Sequence, residues 1–549
     1  MRKKSWLLAL LFSSQCFAEV PSQFIARQYT EGLGRAPDAA GWKRASNRAL
    51  ADSCSAKSLQ ALALSVFQSA EYRSKDYLPE EQVLTVYRAV LAREPERGEF
   101  DAWVGKIKSG TTLATLVQSL VATAEFTSLK DRICAGTHYE SAHKNPPLNI
   151  GLGIGAATWT QAQLESCLAR NAVCSIPPRT VVALTSTLTI PAGKVLETAG
   201  GIERRMYARQ ARLVRSGTKP GMLIVMQPGS TVRKVWIDGG RDRFDKAKLP
   251  RDANAINNVY PNIDYIGGNG GAIRGVRSDA PLSGTHIQTY PYPFPSESTP
   301  AAVYAGSISI DDNLTTGYAH SHYSDGTPIP WADGISNHIN RATITRNDIV
   351  DPTDVGIVLF THNNDRQAST ASNNVIVHAG HSAYGSLGFD AHNCTAVPRT
   401  ACNFSGRGFT DNLIFAGQTQ HADIMLFNGT GPWETGDRAT ACTGERHYNC
   451  GTGGRMSGNK TILGDGRQRV QVQAGLVVDG MLNAITSRNK LNVIPMTQPV
   501  DRPASAEVRL ACARKGQMVL NAVSAGHASG TLQAGADFDS DVNVGCIGH

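Results

Sequence analysis

Two aspartates, Asp333 and Asp354, have a spacing that suits acid–base chemistry. They lie in a stretch of short apolar runs broken by polar turns, where Ile335 and Ile357 are spaced almost identically. Both spacings are roughly 20 residues, a period that predicts successive coils of a β-solenoid. Carboxylates on adjacent coils, whose strands lie ~4.8 Å apart, cannot ionise independently, so the pKa of one of them rises.

One protonated and one ionised carboxyl group at neutral pH are what the cleavage of a glycosidic bond needs. A carboxyl separation of ~5 Å predicts retention of configuration and one of ~6.5–9.5 Å predicts inversion, and the sequence leaves both open. The competing interpretation is that the two aspartates only shape turns between strands.

Histidines and aromatic residues are concentrated in the same part of the chain. Seven of the fourteen histidines lie between residues 320 and 392. His381 and His392 are among them. The candidate substrate-binding residues, which would stack on sugar rings or pair with a carboxylate, are Tyr318, Trp331, Tyr384 and Arg366. The alternative is that most of these residues belong to turns or to the core.

The metal-binding signals are weak. His320 and His322 alternate as strand residues do, but two histidines are too few to specify zinc, and the chain has no CxxC motif. We therefore expect a protein that requires no cofactor, with Ca²⁺ as an open alternative.

The elements that must position these residues are short strands in a repeated order. Similar turns begin at Asn347, Asn374, Asn412 and Asn459, and each leads to an apolar strand. Asn tolerates left-handed backbone geometry and bonds to nearby backbone, so it suits a repeated turn. The pattern predicts a mainly β fold, a right-handed parallel β-helix, over residues 152–549.

A helix precedes the first coil, in the segment TWTQAQLESCLARN from Thr158, with Thr158 or Thr160 as its cap. A helix followed by IPPRT and short strands resembles the start of the pectate-lyase superfamily of parallel β-helix proteins. In that superfamily the helix covers the open end of the solenoid, where strand edges and core would otherwise be exposed.

Local motifs resemble two carbohydrate-active families. Ala332-Asp333-Gly334, Thr353-Asp354-Val355 and Gly380-His381-Ser382 resemble the NTDG, GDD and GHG units of polygalacturonases, although Val355 replaces a carboxylate. Gly388 to His392, GFDAH, resembles the GFDPH unit of alginate epimerases and related lyases. The resemblances imply catalytic roles for Asp333, Asp354, His381, Asp390 and His392.

Residues 19–140 read as a duplicated helical domain. Tyr29, Arg35 and Pro37 recur in the same order and at the same mutual spacing as Tyr87, Arg93 and Pro95, and the copies end in SAEY and TAEF. The pattern resembles a bacterial family of helical repeats of unknown function on secreted and surface proteins, which implies attachment or assembly. Residues 141–151 form a proline-containing linker.

Residues 1–18 have the charged start, apolar run and small residues of a signal peptide. Without Cys16, ten cysteines remain, an even number that favours disulfides in an oxidising compartment. Their spacing predicts the pairs Cys54–Cys134, Cys167–Cys174, Cys394–Cys402, Cys442–Cys450 and Cys512–Cys546. The protein is therefore expected to be secreted, periplasmic or on the cell surface.

The formal net charge of +8 and two clusters of basic residues suggest a partner of opposite charge. In an exported protein this suits an anionic glycan better than nucleic acid, and no later segment is long enough to cross a membrane. We expect a polysaccharide-active protein acting as hydrolase, lyase or epimerase. The alternative is a non-catalytic glycan-binding or adhesive surface protein.

Overall fold

The structure, a computed structural model, describes the chain with gaps, which become longer towards the C-terminal end. The described ranges are 19–149, 159–202, 204–217, 221–244, 260–282, 284–290, 306–317, 332–362, 366–381, 383–393, 403–417, 422–429, 451–461, 470–472, 474–479, 481–482, 485–491, 493–495 and 517–520.

Helices precede strands in the described chain. The helices are α1 (Ser22–Leu33), α2 (Ala39–Ala51), α3 (Ala56–Phe67), α4 (Ala70–Ser74), α5 (Pro79–Leu91), α6 (Arg97–Lys108), α7 (Leu113–Val121), α8 (Ala124–Cys134) and α9 (Gln161–Arg170). Among the described residues, none of these helices is long and apolar enough to cross a bilayer. The predicted signal peptide, residues 1–18, lies outside the described ranges.

The first eight helices contain the predicted repeat. Arg35 lies over the ring of Tyr29 at 5.2 Å and donates two hydrogen bonds to Glu71 of SAEY. Arg93 lies over Tyr87 at 5.3 Å and donates to Glu125 of TAEF in the same way. Helices α1 and α5, which begin the two copies, share one hydrophobic core, so each copy covers the apolar face of the other.

The strands form three long sheets, in which all the pairs between strands are parallel. Sheet A contains Val173–Ile176, Val195–Thr198, Thr231–Arg233, Gly268–Arg274, Gly306–Asp311, Arg341–Thr345, Thr370–Ser372, Asn403–Thr410, Gly451–Ser457, Met481–Leu482 and Ile485–Ser487. Sheet B contains Val181–Leu184, Ala211–Arg215, Val235–Asp238, Arg277–Asp279, Leu314–Thr316, Asp348–Val350, Val375–His378, Leu413–Ala416 and Lys460–Thr461. Sheet C contains Leu188–Ile190, Ile224–Met226, Ile263–Tyr265, Gly284–Thr289, Ala332–Asn337, Val355–His362, Ala383–Asn393, Ala422–Gly429, Ala474–Asp479 and Gln517–Leu520.

Successive strands visit sheets A, B and C in turn, which is the order of a parallel β-helix. Ile335 pairs with Ile357, and Ile357 with Leu387, so the spacing from Ile335 to Ile357 is one coil as predicted. These residues belong to one continuous core with the apolar residues of sheets A and B. The predicted fold class, a parallel β-helix with an N-terminal helical domain, is confirmed. A smaller pair joins Val470–Val472 to Val493–Pro495.

The recurrent asparagines form a buried ladder. The side-chain oxygen of Asn374 accepts hydrogen bonds from the backbone N–H and the side-chain amide of Asn347, each at 2.9 Å. The same contacts link the ladder from Asn313 to Asn489. The left-handed backbone predicted for these asparagines lies one residue earlier, as at Arg346 (φ 55°) and Asn373 (φ 55°).

The capping helix and two disulfides agree with the sequence analysis. Thr160 accepts from the N–H of Gln163 at the start of α9, and Leu164 and Leu168 pack on the first coil. Disulfides join Cys54 to Cys134 and Cys167 to Cys174. The six cysteines of the other predicted pairs lie outside the described residues.

The helical domain covers the outer face of sheet B, the side away from the solenoid core. Trp42 of α2 packs edge-on against Phe415, with 4.9 Å between ring centroids. Arg277 donates to both carboxylate oxygens of Glu31 on α1, at 2.9 and 2.7 Å. This face is therefore closed to a large ligand.

Some of the arginines that contribute to the positive net charge lie inside this interface and are paired with carboxylates there. Arg212 donates to Glu94 at 2.6 Å and to Asp238 at 2.7 Å, and all three side chains are buried. Arg243 also donates to Asp238 at 2.9 Å. These cations are neutralised in place and do not contribute to an exposed basic surface.

Candidate functional site: the outer face of sheet C

Sheet C presents a row of outward side chains because strand residues alternate between the two faces. Ile263 and Ile287 face the core, so their neighbours Asp264 and Gln288 face outward. The strand registers place Asp264 next to Gln288 and Gln288 next to Ser336. All three outward side chains are buried. We call this surface the outer face of sheet C.

Asp333 is a buried carboxyl group held by two hydrogen bonds. One oxygen accepts from the hydroxyl of Ser336 at 2.6 Å and the other from the backbone N–H of Val355 at 2.9 Å. Burial is the largest cause that raises the pKa of Asp333 well above its usual value, and the charges of Asp354 and Asp390 raise it further. These causes all favour the protonated form of the carboxyl group.

Asp354 lies on the next coil, in the turn before Val355–His362. Its N–H donates to the carbonyl of Ala332 at 3.3 Å, and its carbonyl accepts from the N–H of Tyr384 at 2.8 Å. It is half-buried. Because Ile335 pairs with Ile357, the register position opposite Asp333 belongs to Val355. Asp354 therefore raises the pKa of Asp333 from a position one residue before the register partner of Asp333.

Asp390 brings a third carboxyl group to this face from a further coil. It pairs with Phe360 and is fully buried, while the preceding Phe389 packs edge-on against Phe404 in the core. Asp333, Asp354 and Asp390, predicted from two separate motifs, therefore belong to consecutive coils, and the charges of Asp354 and Asp390 both raise the pKa of Asp333.

An aromatic row runs beside the carboxyl groups. The imidazole of His338 stacks on Phe360, with 4.2 Å between centroids and 6° between planes. It also meets the ring of Tyr290 edge-on at 4.6 Å. These residues lie on three consecutive coils of sheet C. Flat rings in a row beside acids are suited to a sugar chain.

Asp264 and Gln288 are residues that the motif search missed. Both oxygens of Asp264 and Oε1 of Gln288 are buried without a hydrogen-bond partner, considering the described part of the chain. Burial raises the pKa of Asp264 to about 8. The alternation Ile263-Asp264-Tyr265 was the signal that could have found it, since a polar residue between two core residues must face outward.

His381 lies at the boundary with the helical domain. Its ring is 4.0 Å from that of His138, and its backbone N–H donates to Asp351 at 2.8 Å. Ligand atoms of His138, Asp351 and His381 all lie within 4.8 Å of one another. Two imidazoles and one carboxylate could hold a divalent transition metal there, and they suit zinc better than Ca²⁺.

Tyr384 is fully buried, and its backbone lies beside that of Asp354. Arg366 is exposed and forms a bridge with Asn403 at the edge of sheet A. Tyr318, Trp331 and the side chain of His392 lie outside the described residues.

Comparison with known proteins gives a match in the helical domain. A family model described as a domain of unknown function (DUF4214) matches residues 63–130. The match confirms the predicted resemblance of this region to a family of unknown function. No curated protein matches the chain.

Three solved structures share a distant likeness with the solenoid. PfbA, a surface adhesin of Streptococcus pneumoniae, is 10% identical with a TM-score of 0.31, covering 60% of this chain and 81% of that one. Endo-xylogalacturonan hydrolase from Aspergillus tubingensis is 13% identical with a TM-score of 0.30, covering 62% and 95%. The Agl-KA catalytic domain is 10% identical with a TM-score of 0.24, covering 62% and 60%. Likeness this distant carries no functional argument, and the fold assignment rests on the strand registers.

Proposed function

We propose that the outer face of sheet C binds a glycan and hydrolyses its glycosidic bonds. The observation that supports this most is the raised pKa of Asp333, caused by burial and by the neighbouring Asp354. A protonated carboxyl group beside a charged one is the arrangement that glycoside hydrolysis uses.

In this mechanism Asp333 donates its proton to the glycosidic oxygen as the bond to the anomeric carbon breaks. Asp354 either attacks the same carbon as a nucleophile or takes a proton from the water that attacks this carbon. Ser336 and the N–H of Val355 hold the Asp333 carboxyl group in place. The aromatic row of Tyr290, His338 and Phe360 supports the sugar chain.

Hydrolysis fits this face better than elimination or epimerisation of a uronate. In both of those reactions the charge of the substrate carboxylate is offset before a proton is removed beside it, and a Lys or Arg side chain supplies that positive charge. The described strands of sheet C contain no Lys or Arg, whereas they contribute Asp264, Asp333 and Asp390. This composition disfavours an anionic sugar at the reacting position.

The test is the release of reducing ends from neutral, amino and uronate glycans by the full chain. Asp333→Asn should lower kcat by about 10³-fold, since it removes the general acid. Asp131→Asn, which removes an exposed carboxylate on α8, should leave kcat unchanged. The melting temperature of Asp333→Asn should not fall, because the raised pKa of Asp333 favours an uncharged group, which an amide resembles. Full activity of Asp333→Asn, or no cleavage of any glycan by the parent, would overturn the proposal.

A further inference from the structure

The outer face of sheet C contains a second polar group that the hydrolytic residues do not explain. Asp264 precedes the coil of Asp333 by two strands, since Asp264 pairs with Gln288 and Gln288 with Ser336. Along the solenoid this is about 10 Å, at ~4.8 Å per strand, which is on the scale of a neighbouring sugar unit. It lies on the same face and adjoins the aromatic row, because its charge raises the pKa of Tyr290 after burial does.

Asp264 is fully buried, and both its carboxyl oxygens lack a hydrogen-bond partner in the described chain. The same holds for Oε1 of Gln288, whose side chain is 7% exposed. Buried polar atoms are nearly always paired in folded proteins, so three unpaired oxygen atoms on adjacent strands call for an explanation. Inside the described chain no donor reaches them, and a ligand that brings its own donors would.

We infer that Asp264 and Gln288 form a sugar subsite that recognises hydrogen-bond donors, either neighbouring hydroxyls or a free amine, and rejects carboxylates. The inference rests on the proposed function, because it places this subsite next to the hydrolytic position. It defines the substrate class as a neutral or amino-bearing glycan. It departs from the anionic glycan expected from the net charge.

The electrostatics of the face agree with this class. The described strands of sheet C supply carboxyl groups and no Lys or Arg. A uronate would bring a negative charge into a buried face whose carboxyl groups already disfavour ionisation, with no Lys or Arg on those strands to offset it. An amine would instead ionise Asp264 and pair with it, and a hydroxyl would donate to its carbonyl oxygen.

Binding is measured by calorimetry with the full chain carrying Asp333→Asn, which preserves the glycan. The probes are oligosaccharides of glucosamine, glucose and galacturonate. One of the first two should bind, and Asp264→Leu in the same background should weaken that binding at least tenfold. Asp264→Asn distinguishes an amine ligand from a hydroxyl ligand. The variant should lose nearly all affinity for an amine and should keep part of the affinity for hydroxyl groups. Asp131→Asn is the matched control and should change affinity less than twofold.

A structural role alone would make Asp264→Leu less stable, whereas removal of an unpaired buried carboxyl group should keep or raise the melting temperature. If that variant does not fold, Gln288→Leu replaces it, with an expected loss of about fivefold. Unchanged affinity in both variants overturns the subsite while hydrolysis by the parent stands. Preference for galacturonate overturns the substrate class. Failure of every probe to bind, together with no cleavage, overturns both proposals.

Discussion

Sheets B and C are built from the same coils, yet their outer faces treat charge in opposite ways. On sheet B the indole of Trp236 lies between the guanidinium carbons of Arg212 and Arg277, at 4.1 and 4.0 Å from the ring. Each of these arginines is buried and bonded to carboxylates. On sheet C, Asp264 is equally buried and has no bonded partner in the described chain.

The buried charges of sheet B are paired with each other across an interface, whereas the buried oxygens of Asp264 on sheet C are available to a ligand. Buried charges cost free energy unless they are paired, and the helical domain supplies Glu31 and Glu94 to sheet B for that purpose. For Asp264 and Asp333 burial instead raises the pKa and favours the uncharged form, and perturbed carboxyl groups of this kind are candidates for a functional site. The structural role of the helical domain follows from the same comparison, since it covers the outer face of sheet B and leaves the outer face of sheet C for the binding that we propose.

The largest expected effect is that pH acts on the two faces with opposite sign. Asp264 has a folded pKa of about 8 against 3.8 unfolded, so the native state loses stability as pH rises from about 4 to 8. Over this pH range the free energy of unfolding of Asp264→Asn should rise relative to that of the parent, by on the order of 5 kcal/mol at most.

Glu31 provides the opposite case. Burial raises its pKa, but Arg277 and the neighbouring arginines outweigh burial and lower the pKa from 4.5 to about 2. The stability that the ionised Glu31 contributes is present above pH 4.5 and is lost as pH falls towards 2. Glu31→Gln should therefore be less stable than the parent above pH 4.5, and this difference should disappear only in acid. Denaturation midpoints of parent and variants at several pH values test both signs. Parallel pH profiles for all three proteins would contradict the comparison.

The next effect comes from breaking the interface on sheet B. Arg277→Ala leaves Glu31 and Asp279 buried without their common partner, and should destabilise the fold by about 3–5 kcal/mol. Arg97→Ala breaks an exposed pair with Asp101 and should cost less than about 1 kcal/mol. Chemical denaturation measures both. Equal, small losses would mean that the helical domain does not depend on this ion pair.

The coils were predictable from the sequence because their information is local and periodic. The spacing of Ile335 and Ile357 gives one coil, and the recurrent asparagines mark its turns. The offset of Asp354 follows from the same spacing, because Val355 precedes Ile357 by as many residues as Asp333 precedes Ile335. Arg277 and Glu31 are far apart in the sequence, and only the docking of two domains brings them together. Asp264 belongs to no motif, so its role emerged only from burial and missing partners.

The smallest expected effect concerns the asparagine ladder, which lies in the turns between strands of sheet A and strands of sheet B. Asn374→Ala removes the acceptor for the backbone N–H and the amide of Asn347, and the donor to the carbonyl of Ile344. It should destabilise the protein by about 1–3 kcal/mol, because buried donors are left unpaired. Asn171→Ala, at the exposed C-terminal end of α9, is the control and should cost less than about 1 kcal/mol.

Because the ladder belongs to neither face, Asn374→Ala should lower the unfolding midpoint without changing the pH at which the profile of Asp264 or Glu31 turns. A shift in the profile of Asp264 or of Glu31 would mean that the turn also affects the surroundings of that carboxyl group. The two faces would then be coupled through the coil, and sheet C could not be described independently of the helical domain.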